Sequence, residues 1–513
     1  MSNDWINPQI KKEIGLVEVL DKLVVISQYG MSKKLGLKPF LQEKIQCLIQ
    51  ELDDVSIVKS FMENSPQICN NIIRLLKEIK DIRGSLERAL RNEILNEVEF
   101  FEIKNQLMLM AELRRLLLRE EELSIEKIKL INIDDIIKLL DPEETGMRTF
   151  YIYDKYSTLL TELRDNIARI EKQMWIEKKK SKRSKRSLQS CLDESSNNAQ
   201  NESLEVLMME LENLKIKEEE EELRIREWLS LDIKNNNKVI LQNINAIGEL
   251  DFMLAKARLA IETRSVKPNI VNKGQVTFVD GRHIPLENYL KEKGTAYTPI
   301  YIELDEGVTV ITGANMGGKT VSLKLVGLIV AMAQLGFYVP AKKATVGLFD
   351  FIYFSSGDQQ SIQSGLSTFG GEIHGLSKVL NRNGEKGLVL IDELARGTNP
   401  IEGYGISKGI ITYLKKSTFV SLITTHFDGL SNIEGIKHLQ VVGLKNIDIN
   451  SLKAHIQKQD CRNQILEKYM DYRLEEIKEG TKVPKDAILV AGLMGLNEEI
   501  LDIAKRAVEE VDR

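Results

Sequence analysis

The segment Gly313, Ala314, Asn315, Met316, Gly317, Gly318, Lys319, Thr320 fits the pattern GxxxxGK(S/T), directly after the apolar run VTVIT and before a helical pattern. A phosphate-cradling loop needs that setting. Its glycines let successive backbone N–H groups close around phosphate oxygens, Lys319 neutralises the outer phosphates, and the Thr320 hydroxyl can ligate Mg2+. Further on, LVLIDE sets Asp392 and Glu393 at the C-terminal end of an apolar strand, where open α/β sheets hold their ligands. Asp392 is placed to hold a Mg2+ shell and Glu393 to orient and deprotonate an attacking water. An acidic pair alone would read as surface; beside a phosphate loop it reads as hydrolytic machinery. A third run, FVSLIT, leads into Thr424, Thr425 and His426, and a histidine there can reach a γ-phosphate as sensor or transition-state donor. LSTFGGE (366–372) opens a helix with a hydroxyl and backbone donors suited to a phosphate.

The elements that must position these groups change character along the chain. From Leu16 to about Asp141, apolar residues recur three and four apart with few Pro or Gly, predicting a packed helical block. Tyr156, Leu160, Leu163, Ile167, Ile170 and Met174 then alternate spacings of four and three, the seam of a coiled coil. This outgoing arm ends in KKKSKRSKRS and a polar stretch. A second heptad run returns through Leu204, Leu207, Leu211 and Leu214, is interrupted by Glu218 and Glu221, and resumes at Ile225 and Trp228. Roughly 25 residues each way give an antiparallel hairpin on the order of 40 Å long. IGELDFMLAKARLAIETRS is again helical, and beyond Pro268 short β-rich runs alternate with helical patterns, the grammar of a mostly parallel sheet flanked by helices. NEEILDIAKRAVEEV predicts a final amphipathic helix.

At 513 residues the chain predicts two or three folded units. With 42% hydrophobic and 29% charged residues it is neither disordered nor membrane-embedded in composition. The N-terminus lacks the basic-then-apolar pattern of a secretory signal, so a cytoplasmic location without membrane contact is expected. Cys47, Cys69, Cys191 and Cys461 are scattered without CxxC pairing, which argues against a disulfide scaffold or a structural zinc site. A net charge of −5 means that any nucleic-acid contact must come from a local patch. The best patch is the arm tip, with Lys178, Lys179, Lys180, Lys182, Arg183, Lys185 and Arg186.

GANMGGKT, STFGGE, LVLIDELARGTNP and TTHF, in this order, resemble the four ATPase motifs of the MutS family. GRH (281–283) is similar to the segment entering that family's ATPase domain, LDFMLAKA to the end of its lever, and YRL with ILVAGLMGLNEEILDIAKRA to its C-terminal dimerisation region. The resemblance is strong over roughly residues 230 to 513 and looser before. It implies ATP and Mg2+ as cofactors and a homodimer in which Ser367 and Thr368 of one subunit face the nucleotide held by the other. It further implies that Gln360 couples the γ-phosphate to that interface. The implied fold is multidomain: an all-α lever with an antiparallel coiled-coil clamp, then an α/β P-loop domain of ABC type. Its boundaries are a helical core and lever over 1–154, a clamp arm with basic tip over 155–235, a returning helix over 236–270, an ATPase domain over 271–450 and dimerisation helices over 451–513. The resemblance implies an ATP-hydrolysing dimeric clamp on double-stranded or branched DNA, in mismatch repair or recombination. Mismatch-repair members carry a reading domain with a Phe-x-Glu wedge, and this chain begins almost at the lever. Phe100, Phe101 and Glu102 spell the wedge but sit in a helical pattern, as core and surface positions. Nor does the chain end in the nuclease domain of another branch. These departures favour an alternative, a clamp on a protein or ribonucleoprotein partner, acting in assembly or reactivation.

Overall fold

The computed structural model describes residues 5–187, 194–313, 317–356, 368–382, 384–395, 398–427, 429–443, 470–477 and 487–511. The chain forms two compact units, one made of Met1–Val24, Gly36–Ser60 and Met253–Arg513, the other of Val25–Leu35 and Phe61–Phe252.

The first unit holds every named strand: β1 (Asn269–Val271), β2 (Gln275–Gly281), β3 (Ile300–Asp305), β4 (Gly307–Thr312), β5 (Lys343–Gly347), β6 (Phe351–Ser355), β7 (Gly387–Ile391), β8 (Val420–Thr424), β9 (Lys437–Gly443) and β10 (Asp471–Glu476). They make a four-stranded sheet of order β1-β5-β2-β3 and a six-stranded sheet of order β10-β9-β4-β8-β7-β6. In the larger sheet β9, β4, β8, β7 and β6 run parallel, and β10 closes one edge antiparallel to β9. β4, β7 and β8 are buried along their whole length, because crossover helices cover both faces of a parallel sheet. That is why these strands read as unbroken apolar runs and not as alternation. The Lys319–Gln334 helix is buried nearly all round, which its uniformly apolar sequence requires. At the other edge Ile6 bridges to Ile352 of β6, and the Trp5 indole N–H donates to the Phe349 carbonyl.

The second unit is helical. The Glu97–Leu117 helix starts with a reciprocal capping box, Asn96 accepting from the Glu99 N–H while the Glu99 carboxylate accepts from the Asn96 N–H. Phe100 is fully buried and its ring lies 5.2 Å from that of Phe150, whereas Phe101 is exposed. One turn on, Lys104 is buried. Its ammonium donates to Asp141 Oδ1 at 3.1 Å, the Thr149 carbonyl at 2.8 Å and the Tyr153 hydroxyl at 2.9 Å. Asp141 also accepts from the Thr145 hydroxyl and the Gly146 N–H. Burial alone would raise its pKa, but the Gly146 N–H, Thr145 and Lys104 together hold it below the usual carboxylate range.

Helices Thr158–Ser187 and Glu194–Glu262 pair antiparallel in this unit, with Arg164 on Glu218 and Glu222 and Lys215 on Glu171. Leu160, Leu163, Ile167, Ile170 and Met174 are all buried, as the spacing predicts. On the returning helix the seam passes from Glu221 and Ile225 to Leu229 and Ile233, not to Trp228, which is 49% exposed. Spacings of four carry the buried face past Trp228, whose ring meets Tyr156 edge-on at 6.1 Å. Among the described residues no helix is long and apolar enough to cross a membrane.

Replacing Lys104 by Ala strands a buried carboxylate and is expected to cost about 3–5 kcal/mol. The check is urea unfolding of the full chain followed by circular dichroism. Adding Asp141→Leu is expected to restore most of the loss, and a Lys104→Ala transition matching that of the parent would rule the pair out as a keystone.

Candidate active site

The parallel register brings three strand ends together: Ile311 of β4 pairs with Thr424 of β8, and Ile391 of β7 pairs with Ile423 of β8. With β8 lying between β4 and β7, Asp392, the first residue beyond β7, stands beside the end of β8 and within reach of the helix that follows β4. Its two carboxylate oxygens are divided between two hydroxyls: Thr320 donates to Oδ2 at 2.6 Å and Thr424 donates to Oδ1 at 2.6 Å. The Thr424 oxygen in turn accepts the Glu393 N–H at 2.8 Å, and the Asp392 N–H donates to the Ser355 carbonyl of β6 at 2.8 Å.

Glu393 has φ +54° and Ala395 φ +61°, left-handed conformations that side-chain-bearing residues adopt rarely. Such strain persists only where the surroundings fix it, and here the Thr424 hydroxyl holds the Glu393 N–H. The turn delivers the Glu393 carboxylate to His426 Nε2, its hydrogen-bond partner. His426 is partly exposed and Glu393 largely buried, so the pair sits at the mouth of the site.

Lys319 opens the Lys319–Gln334 helix, is 5% exposed, and donates from Nζ to the Gly313 carbonyl at 2.7 Å. Burial lowers its pKa, against the opposing pull of Glu393 and Asp392. The residue before it, Gly318, has φ +84°, and the helix has no side-chain N-cap, so its first-turn N–H groups face the loop. A Cβ on Gly318 would come within 3.0 Å of the Tyr472 ring of β10. At Gly313 (φ +133°) a Cβ would meet Val441 of β9 at 3.0 Å. Both glycines are thus required by backbone angle and by space.

Of the residues singled out from sequence, Gly313, Gly317, Gly318, Lys319, Thr320, Asp392, Glu393 and His426 lie in this one place. Ala314, Asn315, Met316, Gln360 and Ser367 lie outside the described residues, and Thr368 begins the helix Thr368–Leu380. Lys178 and Lys179 are exposed near the end of the Thr158–Ser187 helix, with the Lys179 ammonium 4.5 Å from the centre of the Trp175 ring. Lys180, Lys182, Arg183, Lys185 and Arg186 continue that helix, with side chains outside the described set.

Over residues 309–512 the sequence matches the family described as MutS domain V, the P-loop ATPase fold of that family. Over that segment the chain is similar to the MutS family. It is 33% identical over 303 residues to Endonuclease MutS2 of Caldanaerobacter subterraneus subsp. tengcongensis, covering 58% of the chain and 35% of that protein. To Endonuclease MutS2 of Clostridium tetani it is 34% identical over 308 residues, 60% of the chain and 36% of the relative. The match to Endonuclease MutS2 of Brevibacillus brevis is 28% identical over 534 residues, 94% of the chain and 62% of the relative. The chain therefore spans between about a third and three fifths of the length of these relatives.

Two members of the site, Thr424 and Glu372, lie inside the quoted motifs but have roles that the motifs alone do not give. Thr424 links Asp392 to the Glu393 backbone, and the only trace of this in sequence is a threonine pair before His426. Glu372, on the Thr368–Leu380 helix, is 7% exposed with Oε1 lacking a hydrogen-bond partner. Burial pushes its pKa up to about 7, against the Ala395 N–H that bonds the carboxylate. The bond reaches the strained turn two residues after Glu393.

Because the folded pKa of Glu372 lies above its ordinary 4.5, its contribution to stability is full below about 4.5 and is lost as pH rises through about 7. Glu372→Gln keeps the shape without titrating. Thermal unfolding is expected to give equal Tm values for parent and variant at pH 5 and a higher Tm for the variant at pH 8. A difference that does not grow with pH would sink this reading.

Proposed function

We propose that this chain binds ATP with Mg2+ and hydrolyses it to ADP and phosphate, as a homodimer whose helical arm closes on double-stranded or branched DNA. One observation carries the hydrolytic reading: the Asp392 carboxylate shared between Thr320 and Thr424, with Glu393 and His426 bonded to each other beside it. The uncapped helix start and the two space-restricted glycines form a cradle that fits phosphate. The Thr320 hydroxyl and Asp392 carboxylate are hard oxygens of the kind Mg2+ takes. Among the described residues no group of three or more His, Cys, Asp or Glu could hold a metal, so the donor set suits an ion that draws its remaining ligands from water and phosphate. When bound, Mg2+ neutralises charge on the β- and γ-phosphates.

Lys319, whose charge burial disfavours, regains an anionic partner when a triphosphate enters. Glu393 takes the proton of the attacking water as the new bond to the γ-phosphorus forms and the bridging β–γ oxygen leaves with ADP. His426 holds the Glu393 carboxylate toward that water. By family resemblance, Gln360 reads the γ-phosphate, and Ser367 and Thr368 reach the nucleotide of the other subunit. The same resemblance supports a lever over 1–154, an arm over 155–235, a returning helix over 236–270, the ATPase domain over 271–450 and dimerisation helices over 451–513. The antiparallel ion pairs of Arg164 and Lys215 support the arm as a two-helix clamp. Its lysine- and arginine-rich tip, Lys178 to Arg186, is the proposed contact to DNA phosphates.

Lys319→Ala is expected to abolish ATP binding, while Glu393→Gln binds ATP and loses about 10²- to 10⁴-fold in turnover. Equilibrium binding of a fluorescent ATP analogue and a phosphate-release assay separate the two, and parental turnover by Glu393→Gln would remove Glu393 as the base. In the same assay, homoduplex or branched DNA is expected to stimulate turnover in a salt-sensitive way that neutralising Lys178–Arg186 removes. Turnover indifferent to every DNA would move the partner to a protein or ribonucleoprotein.

A further inference from the structure

The helical unit contains an open groove of about 1040 Å³ that shares no residue with the nucleotide site or the arm tip. One wall is a face of the Glu194–Glu262 helix on which Lys234, Asn237, Lys238, Leu241, Gln242 and Asn245 follow at alternating spacings of three and one. The other is the segment from Glu126 to Asn132. Five cationic side chains line it, Arg114, Lys127 and Lys129 on one side and Lys234 and Lys238 on the other, against one carboxylate, Glu126. In a chain of net charge −5 this is a local reversal of sign, with cations on both walls.

The two walls are tied to each other: buried Asn243 of the long helix holds the facing segment through both of its amide atoms, accepting the Ile131 N–H at 2.7 Å and donating to the Ile131 carbonyl at 3.1 Å. Asn237, six residues earlier on the same helix and also lining the groove, is 5% exposed, yet its Oδ1 has no hydrogen-bond partner. A buried acceptor left unmatched within the protein is unfavourable, and beside an open groove it can take a donor from outside, water or a ligand N–H that displaces it. The ligand that answers both features carries repeated anionic groups for the rim and an N–H for the recess.

We propose that this groove binds single-stranded nucleic acid, with phosphates on Lys234 and Lys238 and an unpaired base N–H on Asn237. A duplex meets the first demand but holds its remaining base N–H groups on the groove edges, between its phosphate backbones, whereas an unpaired strand can turn a base edge into the recess at Asn237, so an unpaired strand is favoured. The contact adds to the proposed DNA clamp without depending on it, since the arm-tip residues lie elsewhere on the sequence.

The test uses the full chain, a fluorescein-labelled dT12 strand, whose thymine N3–H is free, and a duplex of equal length, followed by anisotropy across a salt series. The parent is expected to prefer the strand. Lys234→Glu/Lys238→Glu is expected to weaken strand binding about tenfold or more and to reduce the salt slope by about 1.4, two contacts at roughly 0.7 each. The milder Lys234→Gln/Lys238→Gln pair moves in the same direction and guards against misfolding by charge reversal. Asn237→Leu is expected to weaken strand binding while leaving Tm unchanged or higher, which a purely structural asparagine would not do. Strand and duplex are compared in a Lys178→Gln/Lys179→Gln background as well as in the parent, so that the proposed tip contact is reduced in both arms, and the preference for the strand is expected to persist there. No strand binding by the parent, strand binding indifferent to both Lys234/Lys238 pairs, equal affinity for the duplex, or displacement of the strand by inorganic phosphate at matched ionic strength would each overturn the proposal.

Discussion

Everything at the nucleotide site hangs on the way the two oxygens of Asp392 are occupied. Thr320 comes from the first turn of a helix and Thr424 from the end of a neighbouring strand, so one carboxylate ties the phosphate loop to the β8 edge. Thr424 then accepts the N–H of Glu393, so the hydroxyl that fixes the metal-binding candidate also fixes the backbone of the base candidate. Charge-assisted bonds of this kind are strong in a half-buried setting. The arrangement explains how a strained φ at Glu393 is sustained, since the register of β4, β8 and β7 leaves the turn little else to do.

That these candidate residues gather in one place was largely legible in the sequence, because they belong to short contiguous motifs that follow apolar strands. Gly313, Gly317 to Thr320, the Asp392–Glu393 pair and His426 occupy adjoining strand ends because a parallel sheet collects its strand ends on one edge. Apolar runs that are buried on both faces, such as LVLI and VSLI, announced central strands without any alternation. What sequence could not show were long-range pairings. Nothing in Met1–Val24 or Gly36–Ser60 marks them as members of the unit that holds the sheets, and Trp5 meets Phe349 only through folding. The seam that slips from Trp228 to Leu229 is a smaller case. An apolar residue one position off the stripe satisfies the heptad count, but the aromatic neighbour Tyr156 draws it outward.

Buried polar groups divide into two kinds in this chain. In the Lys104 cluster and at Asn243 every demand is met within the protein, and such closed networks specify a unique packing. At Glu372 and Asn237 an oxygen is left without a partner, one beside the strained turn and the other in a basic groove. The first kind is explained by the fold alone. The second asks for protonation or for a ligand, and so directs attention to chemistry.

The strand β10 gives a practical consequence for anyone dividing this chain. It is the last strand of the six-stranded sheet, and through Tyr472 it lies against Gly318, more than a hundred residues earlier in the sequence. A fragment cut after β9 would keep every nucleotide motif yet expose a raw sheet edge and remove a side of the phosphate loop. The expression boundary for a minimal nucleotide-binding fragment is therefore set by a tyrosine of the YRL segment, which lies outside the four nucleotide motifs.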